Sequence, residues 1–208
     1  MAPDGRLGIQ VVDRLDGAIA DVDAGRLAAL AVDMPMGLPD DGPRACDLAA
    51  RRRLGVRRSS VFPTPVRAAL GAPTYVEALA RSRAACGRGL SRQAFNLLAK
   101  IAELDAAIRP DLQDRVVEAH PEMAFARLAG GPCLHPKRTP EGRAERLALL
   151  DRAGLGDLAA LRLPGAAPDD ILDAAALTLT AARVRDGEVE RLGDGARDAR
   201  GLRMEVAV

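Results

Sequence analysis

LAALAVDMPMGLP (27–39) is an apolar run that ends in one acid, Asp33, after which the chain turns through Pro35, Gly37 and Pro39. A continuous apolar run bounded by turn residues suits a short strand covered on both faces, as in a parallel sheet. A charge at the end of such a strand needs a partner, because an unpaired carboxylate is costly to remove from water. Asp33 is therefore expected to face either a cation or the backbone donors of the turn that follows it.

The segments around this strand alternate between types. GRLGIQVVD (5–13) reads as a strand behind the turn signal Asp4-Gly5, and residues 13–26 as a short helix. From Pro39 to about Pro110 the pattern is helical, with segments at 42–55, 74–86 and 91–110. The third opens at Ser91, repeats Phe95, Leu98, Ile101, Leu104 and Ile108 at helical spacing, and stops before Pro110. DRVVEAHPE (114–122) holds a second short strand that also ends in acids, and residues 123–163 are helical and loop-rich. PDDILDAAALTLTAARVRDG (168–187) is a helix opened by Pro168 and two aspartates and closed by Gly187, and 201–208 reads as a final strand. The alternation predicts an α/β layer fold.

The 208 residues fit a single domain, 1–208, with a helical insertion at about 40–112, and 48% hydrophobic content allows a sizeable core. A net charge of +1 gives the whole molecule no general attraction to polyanions or membranes. Cys46, Cys86 and Cys133 are far apart and form no CxxC pair, which argues against a disulfide frame or a zinc site. No apolar run reaches the ~18 residues of a membrane span, and no signal peptide is evident, so a cytoplasmic protein is expected. Three Phe, one Tyr and no Trp leave little for stacking bases, which counts against a general single-strand binder.

The acids carry the functional argument. Asp33 follows one strand, Glu118 and Glu122 flank the end of another, and Asp169, Asp170 and Asp173 open the last long helix. Sites in open α/β sheets lie at the carboxyl ends of strands, where acids from separate elements can meet. Asp170 and Asp173 are three apart and share a helix face. Carboxylates held together are relieved by a divalent cation, and Mg²⁺ needs few of them because it keeps several waters. Plainer readings stand beside this one. Asp33 would also serve as a turn cap, Asp169 and Asp170 suit a helix start by the dipole alone, and Glu118 would also suit an arginine partner. His120 is as compatible with a hydrogen-bonded core histidine as with a proton carrier.

Basic and polar groups form further candidates. RRRLGVRRSS (51–60) includes Arg57, Arg58, Ser59 and Ser60, suited to phosphate contacts or simply to a solvated helix end. Gln93, Asn96 and Lys100 share a face of the 91–110 helix, either lining a cleft or facing solvent. His135, Lys137 and Arg138 make a small basic cluster compatible with a surface loop. GDGARDARG (193–201) is Gly-rich but has no Lys and no following helix, so it is a weak phosphate loop.

Six blocks in order, AVDMPMGLP, RACDLAARRRLGVRRSSVFPTPVR, GRGLSRQAFNLLAKIAELD, VVEAHPEMAFARLAGG, HPKRTPEGRAERLALL and PDDILDAAALTLTA, resemble a bacterial family of uncharacterised proteins predicted to be RNase H-like nucleases. The resemblance implies an RNase H-like fold: a five-stranded mixed sheet flanked by helices. It implies two-metal phosphodiester hydrolysis with Mg²⁺ or Mn²⁺. Asp33 matches the fourth-strand acid, Asp170 and Asp173 the acids of the last helix, and Glu118 and Glu122 the EAHPE segment. Relatives of this kind begin with two strands and a first-strand acid, and this sequence is expected to lack both strands.

On this basis Asp33, Glu118, Glu122, Asp170 and Asp173 are the expected metal ligands, with His120 as an added catalytic group. Arg57, Arg58, Ser59, Ser60, Gln93, Asn96 and Lys100 are the expected substrate-binding residues. Two ions about 3.5–4 Å apart would steady the attacking water and the leaving oxygen. Without the first-strand acid, weak metal binding and poor cleavage are expected. The expected substrate is a nucleic acid or a phosphorylated small molecule. The alternatives are a nucleotide- or phosphometabolite-acting enzyme on the same fold, and a non-catalytic binding or scaffold protein.

Overall fold

The computed structural model describes residues 7–156 and 158–208. It is an α/β structure with seven α-helices among these residues. The first strand, β1 (Leu30–Val32), runs parallel to β2 (Val116–Glu118), with Leu30 opposite Val116 and Val32 opposite Glu118. β3 (Arg191–Leu192) and β4 (Val206–Ala207) form a separate antiparallel pair. A single parallel bridge from Ala119 to Ala207 joins the end of β2 to β4. All three residues of β2 are buried, as a strand flanked on both edges should be.

Between β1 and β2 lie α2 (Ala45–Leu54), α3 (Tyr75–Cys86) and α4 (Arg92–Ala107), and α1 (Asp16–Asp23) precedes β1. Thr74 and Ser91 cap α3 and α4 by accepting the N–H groups of Glu77 and Ala94. After β2 come α5 (Pro121–Ala129), α6 (Pro140–Arg152) and α7 (Pro168–Asp186). Pro168 starts α7, and Gly187, at φ 74°, ends it in the left-handed conformation.

One apolar cluster joins α5, α6 and α7 through Phe125, Leu150, Ile171, Leu172 and Ala176. Another joins α1, β1, α4 and β2 through Val22, Val32, Leu104, Ile108 and Val116. The two clusters set α7 and α1 against the short sheet, and parallel pairing brings the carboxyl ends of β1 and β2 side by side.

One expectation needs correction. The segment 5–13 is not a strand over its described part, residues 7–13. Leu7 and Ile9 are half-buried against the α5–α7 cluster, so they reach the core without entering a ladder. Residues 5 and 6, and the Asp4-Gly5 turn, lie outside the described residues. The mixed sheet expected without its first two strands is present as one parallel and one antiparallel two-stranded pair, joined by a single bridge, among the described residues.

Candidate functional site

The turn after β1 is held from three directions, which fixes where Asp33 points. Glu118 Oε2 accepts the Met36 N–H at 2.7 Å, Asp198 Oδ2 accepts the Leu38 N–H at 3.0 Å, and Arg44 donates to the Met36 carbonyl at 2.9 Å. Gly37 sits at φ 74°, and a Cβ there would stand 2.8 Å from the Arg203 carbonyl oxygen. Only glycine meets both conditions without strain.

Asp33 is solvent-exposed at the rim of a recess of about 30 Å³, room for a water or two, whose walls include Met34, Pro35, Phe62 and His120. Surrounding protein pushes its carboxyl up from the ordinary value, and the charges of His120 and Lys137 pull against that rise.

Asp173, on α7, meets the same group. Its Oδ2 accepts from Lys137 Nζ at 2.8 Å, and its Oδ1 is buried with no hydrogen-bond partner among the described residues. Burial raises the Asp173 carboxyl, Lys137 opposes this, and the nearby charges of Asp33 and Glu122 raise it further. Burial alone would lower Lys137, yet its hydrogen bond to Asp173 and the charges of Asp173, Asp169 and Glu122 hold it above its ordinary 10.5. The local balance is an ammonium held charged between two carboxyls whose titration is shifted upward by their surroundings.

Glu118 and Glu122 are not open ligands. Glu118 is buried and receives both Arg44 terminal nitrogens, at 2.7 and 2.6 Å, and the same guanidinium pairs with buried Asp47. Burial raises the Glu118 carboxyl against the pull of Arg44. Glu122 is buried against Arg146 at 2.6 Å. Asp170 is exposed and accepts the Ala167 N–H at 2.9 Å, which closes the first turn of α7. It serves the helix start, whereas Asp173, one turn later, meets Lys137.

His120 caps α5. Its Nδ1 accepts the Glu122 N–H at 3.2 Å, which leaves Nε2 as the protonated nitrogen, donating to the Ser60 carbonyl at 3.1 Å. Both ring nitrogens are engaged, so proton transfer through His120 requires one contact to open.

The basic segment splits. Arg57 turns inward and donates to the Cys133 and Leu134 carbonyls, and Ser60 Oγ donates to the Arg57 carbonyl at 2.8 Å. Arg58 and Ser59 are exposed on the 3₁₀ turn Gly55–Ser60, which leads to the recess through Val61 and Phe62. Gln93, Asn96 and Lys100 form an exposed stripe on α4, which packs chiefly on α1 and α3. Lys100 is held by the Asp13 carbonyl and by Glu103, and none of the three lines the recess. In the Gly-rich 193–201 segment, Asp198 accepts the N–H groups of Leu38, Arg200 and Leu202, so this loop ties the C-terminal part to the β1 turn.

Sequence reasoning passed over two residues of the candidate site. Lys137 looked like part of a surface loop, although Pro136 and Thr139 on either side mark a tight turn that could aim it. Arg44 has Asp47 three residues on, but its partner at the β1 turn, Glu118, is 74 residues away, and nothing local signals that contact.

The sequence matches the family described as "Protein of unknown function (DUF429)" over residues 1–198. The chain belongs to the DUF429 family. No curated protein and no solved structure matches it. In this DUF429 chain, no group of three or more His, Cys, Asp or Glu side chains is arranged to hold a metal ion among the described residues. No described helix is long and apolar enough to cross a membrane.

Proposed function

We propose that this DUF429 protein is a divalent-cation-dependent phosphodiester hydrolase of RNase H-like type, with its site at Asp33, Asp173 and Lys137. The observation that carries the reading is the Asp173 carboxylate: one oxygen on Lys137, the other buried and unpartnered, beside the charge of Asp33. A buried acceptor left unsatisfied costs about 1–3 kcal/mol, and a cation shared with Asp33 would relieve it. The parallel β1–β2 pair with α7 across it supports the RNase H-like reading of the fold.

Two oxygen donors from separate elements fit one hydrated Mg²⁺ or Mn²⁺. The described acids do not offer ligands for two ions, because Glu118, Glu122 and Asp170 are engaged elsewhere. Asp33 and Asp173 would hold the ion, which when bound supplies Lewis acidity to a phosphoryl oxygen and acidifies a water.

The chain's own groups do the rest. Lys137 presents a compact positive charge to a non-bridging phosphate oxygen. Arg58 and Ser59, exposed on the approach to the recess, contact flanking phosphates. His120 orients the start of α5 and the Ser60 end of the 3₁₀ turn. The substrate is a nucleic acid or another phosphodiester.

The test is a cleavage screen over duplex and single-stranded DNA and RNA with Mg²⁺ or Mn²⁺, run beside Asp33→Asn and Asp173→Asn. The reading expects cleavage that needs the ion and falls at least 100-fold in both variants. Cleavage that survives both substitutions would refute it.

A further inference from the structure

We infer that Lys137 is a tethered counter-cation, which occupies Asp173 in the resting protein and must leave before a divalent ion can bind. This rests on the reading of Asp33 and Asp173 as the ion's ligands.

The loop that carries Lys137 is built to aim it. Glu145 accepts the N–H groups of Leu134 and His135 at 2.8 and 3.0 Å, and Arg146 donates to the His135 carbonyl at 3.2 Å. The Pro136 carbonyl accepts from both the N–H and the hydroxyl of Thr139, at 3.0 Å each. Gly142 lies so close beneath this turn that a Cβ would fall 1.9 Å from the Pro136 oxygen. Arg57 fastens the other end through the Cys133 and Leu134 carbonyls. A loop pinned at this many backbone atoms has little freedom, so its half-buried lysine is directed at α7.

The pairing it makes is incomplete. Nζ meets Asp173 Oδ2, and Oδ1 keeps no partner. An arginine fork could engage both oxygens; an ammonium is a point charge on a flexible stem and engages one. The surrounding charge favours more cation than one lysine supplies, since Asp33, Asp169 and Glu122 all act on this group, and only Glu122 has a buried arginine of its own. A divalent ion bound by Asp173 and Asp33 would satisfy Oδ1, and its charge would repel an ammonium held on the same carboxylate. Ion and Lys137 therefore exclude each other at Asp173. The displaced ammonium remains at the site on its four-carbon stem, free for an anionic oxygen of the substrate. Entry of the ion and capture of the substrate are thereby coupled through one side chain.

The experiment is a Mn²⁺ titration of the full chain, with free Mn²⁺ followed by electron paramagnetic resonance, on the parent, Lys137→Met, Lys137→Arg and Asp173→Asn. Thermal melts of each confirm folding. Lys137→Met keeps the aliphatic stem and removes the competitor, so it should bind Mn²⁺ about tenfold more tightly than the parent. Lys137→Arg keeps the charge and should bind no more tightly than the parent. If Asp173→Asn abolishes binding while Lys137→Met matches or falls below the parent, the ion site stands and the counter-cation role is overturned. If Asp173→Asn leaves binding unchanged, or neither the parent nor Lys137→Met binds, the ion site and the counter-cation role fall together.

Discussion

Arg44 grips Glu118 with both terminal nitrogens of its guanidinium, at 2.7 and 2.6 Å, and neither side chain is accessible to solvent to any useful extent. The same arginine reaches Asp47 and the carbonyls of Met36 and Gly37, so one side chain joins α2, β2 and the turn after β1. Removing one partner of a buried pair leaves an uncompensated charge, which costs about 3–5 kcal/mol. Arg44→Met is expected to lose that much in urea unfolding. Arg44→Met/Glu118→Gln should regain part of it, because the stranded carboxylate is then neutral. Equal losses in the single and double variants would contradict the charge argument.

Asp33 gives a pH-dependent effect of definite sign. Its carboxyl is raised in the folded state from an ordinary 3.8, chiefly because the protein packed around the rim of the recess takes water from it. The folded protein then holds this proton more tightly than the unfolded chain does. The protonated acid contributes stability that is fully present below 3.8 and lost as pH rises through the raised value. Asp33→Asn should accordingly melt at or above the parent temperature at pH 7. That advantage should shrink as pH falls towards 3.8 and below. Melting curves from pH 3 to 8 check this, and an advantage that grows on acidification would contradict it.

Gly142→Ala tests the loop beneath Lys137. Its Cβ would overlap the Pro136 carbonyl oxygen, and backbone cannot yield as a flexible side chain can. A loss of roughly 1–3 kcal/mol is expected from this overpacking. The displaced turn should also lose the Lys137–Asp173 contact. Lys137 side-chain resonances in the variant should move towards those of an exposed lysine, and a variant with parent stability and unchanged resonances would exclude a rigid loop.

His120→Ala removes the side-chain cap of α5 and should cost about 1 kcal/mol. His120→Asn keeps an acceptor for the Glu122 N–H and should lose less. Should both variants retain phosphodiester cleavage in proportion to their stability, His120 is a positioning residue. A loss of cleavage in His120→Asn with a near-parent melting temperature would instead assign it the proton.

The helices were the most legible part of the molecule. α4 announced itself by Ser91 and by Leu98, Ile101 and Leu104 on one face, and α7 by Pro168 and Gly187. These signals are local, and the caps that form are local too. The strands were legible only as short apolar runs. Ile9, Val11 and Val12 looked like a strand because β-branched residues favour one, but the described segment 7–13 finds no ladder partner. At the site, Asp33 and Asp173 were visible as acids at a strand end and inside a helix turn. Their difference from Glu118 and Glu122 was not visible, since both glutamates are spent on arginines 74 and 24 residues away. Lys137 was hidden for the same reason: its aim depends on Glu145, Arg146 and Gly142 in the following helix, and sequence periodicity says nothing about such contacts.

The central claim is that Asp33 and Asp173 share one cation. The most direct test is a calorimetric titration of the protein with Mn²⁺, beside Asp33→Asn and Asp173→Asn. The account predicts about one ion per chain, with affinity reduced at least tenfold by either substitution. Binding that neither substitution weakens, or no binding by the parent, would contradict it.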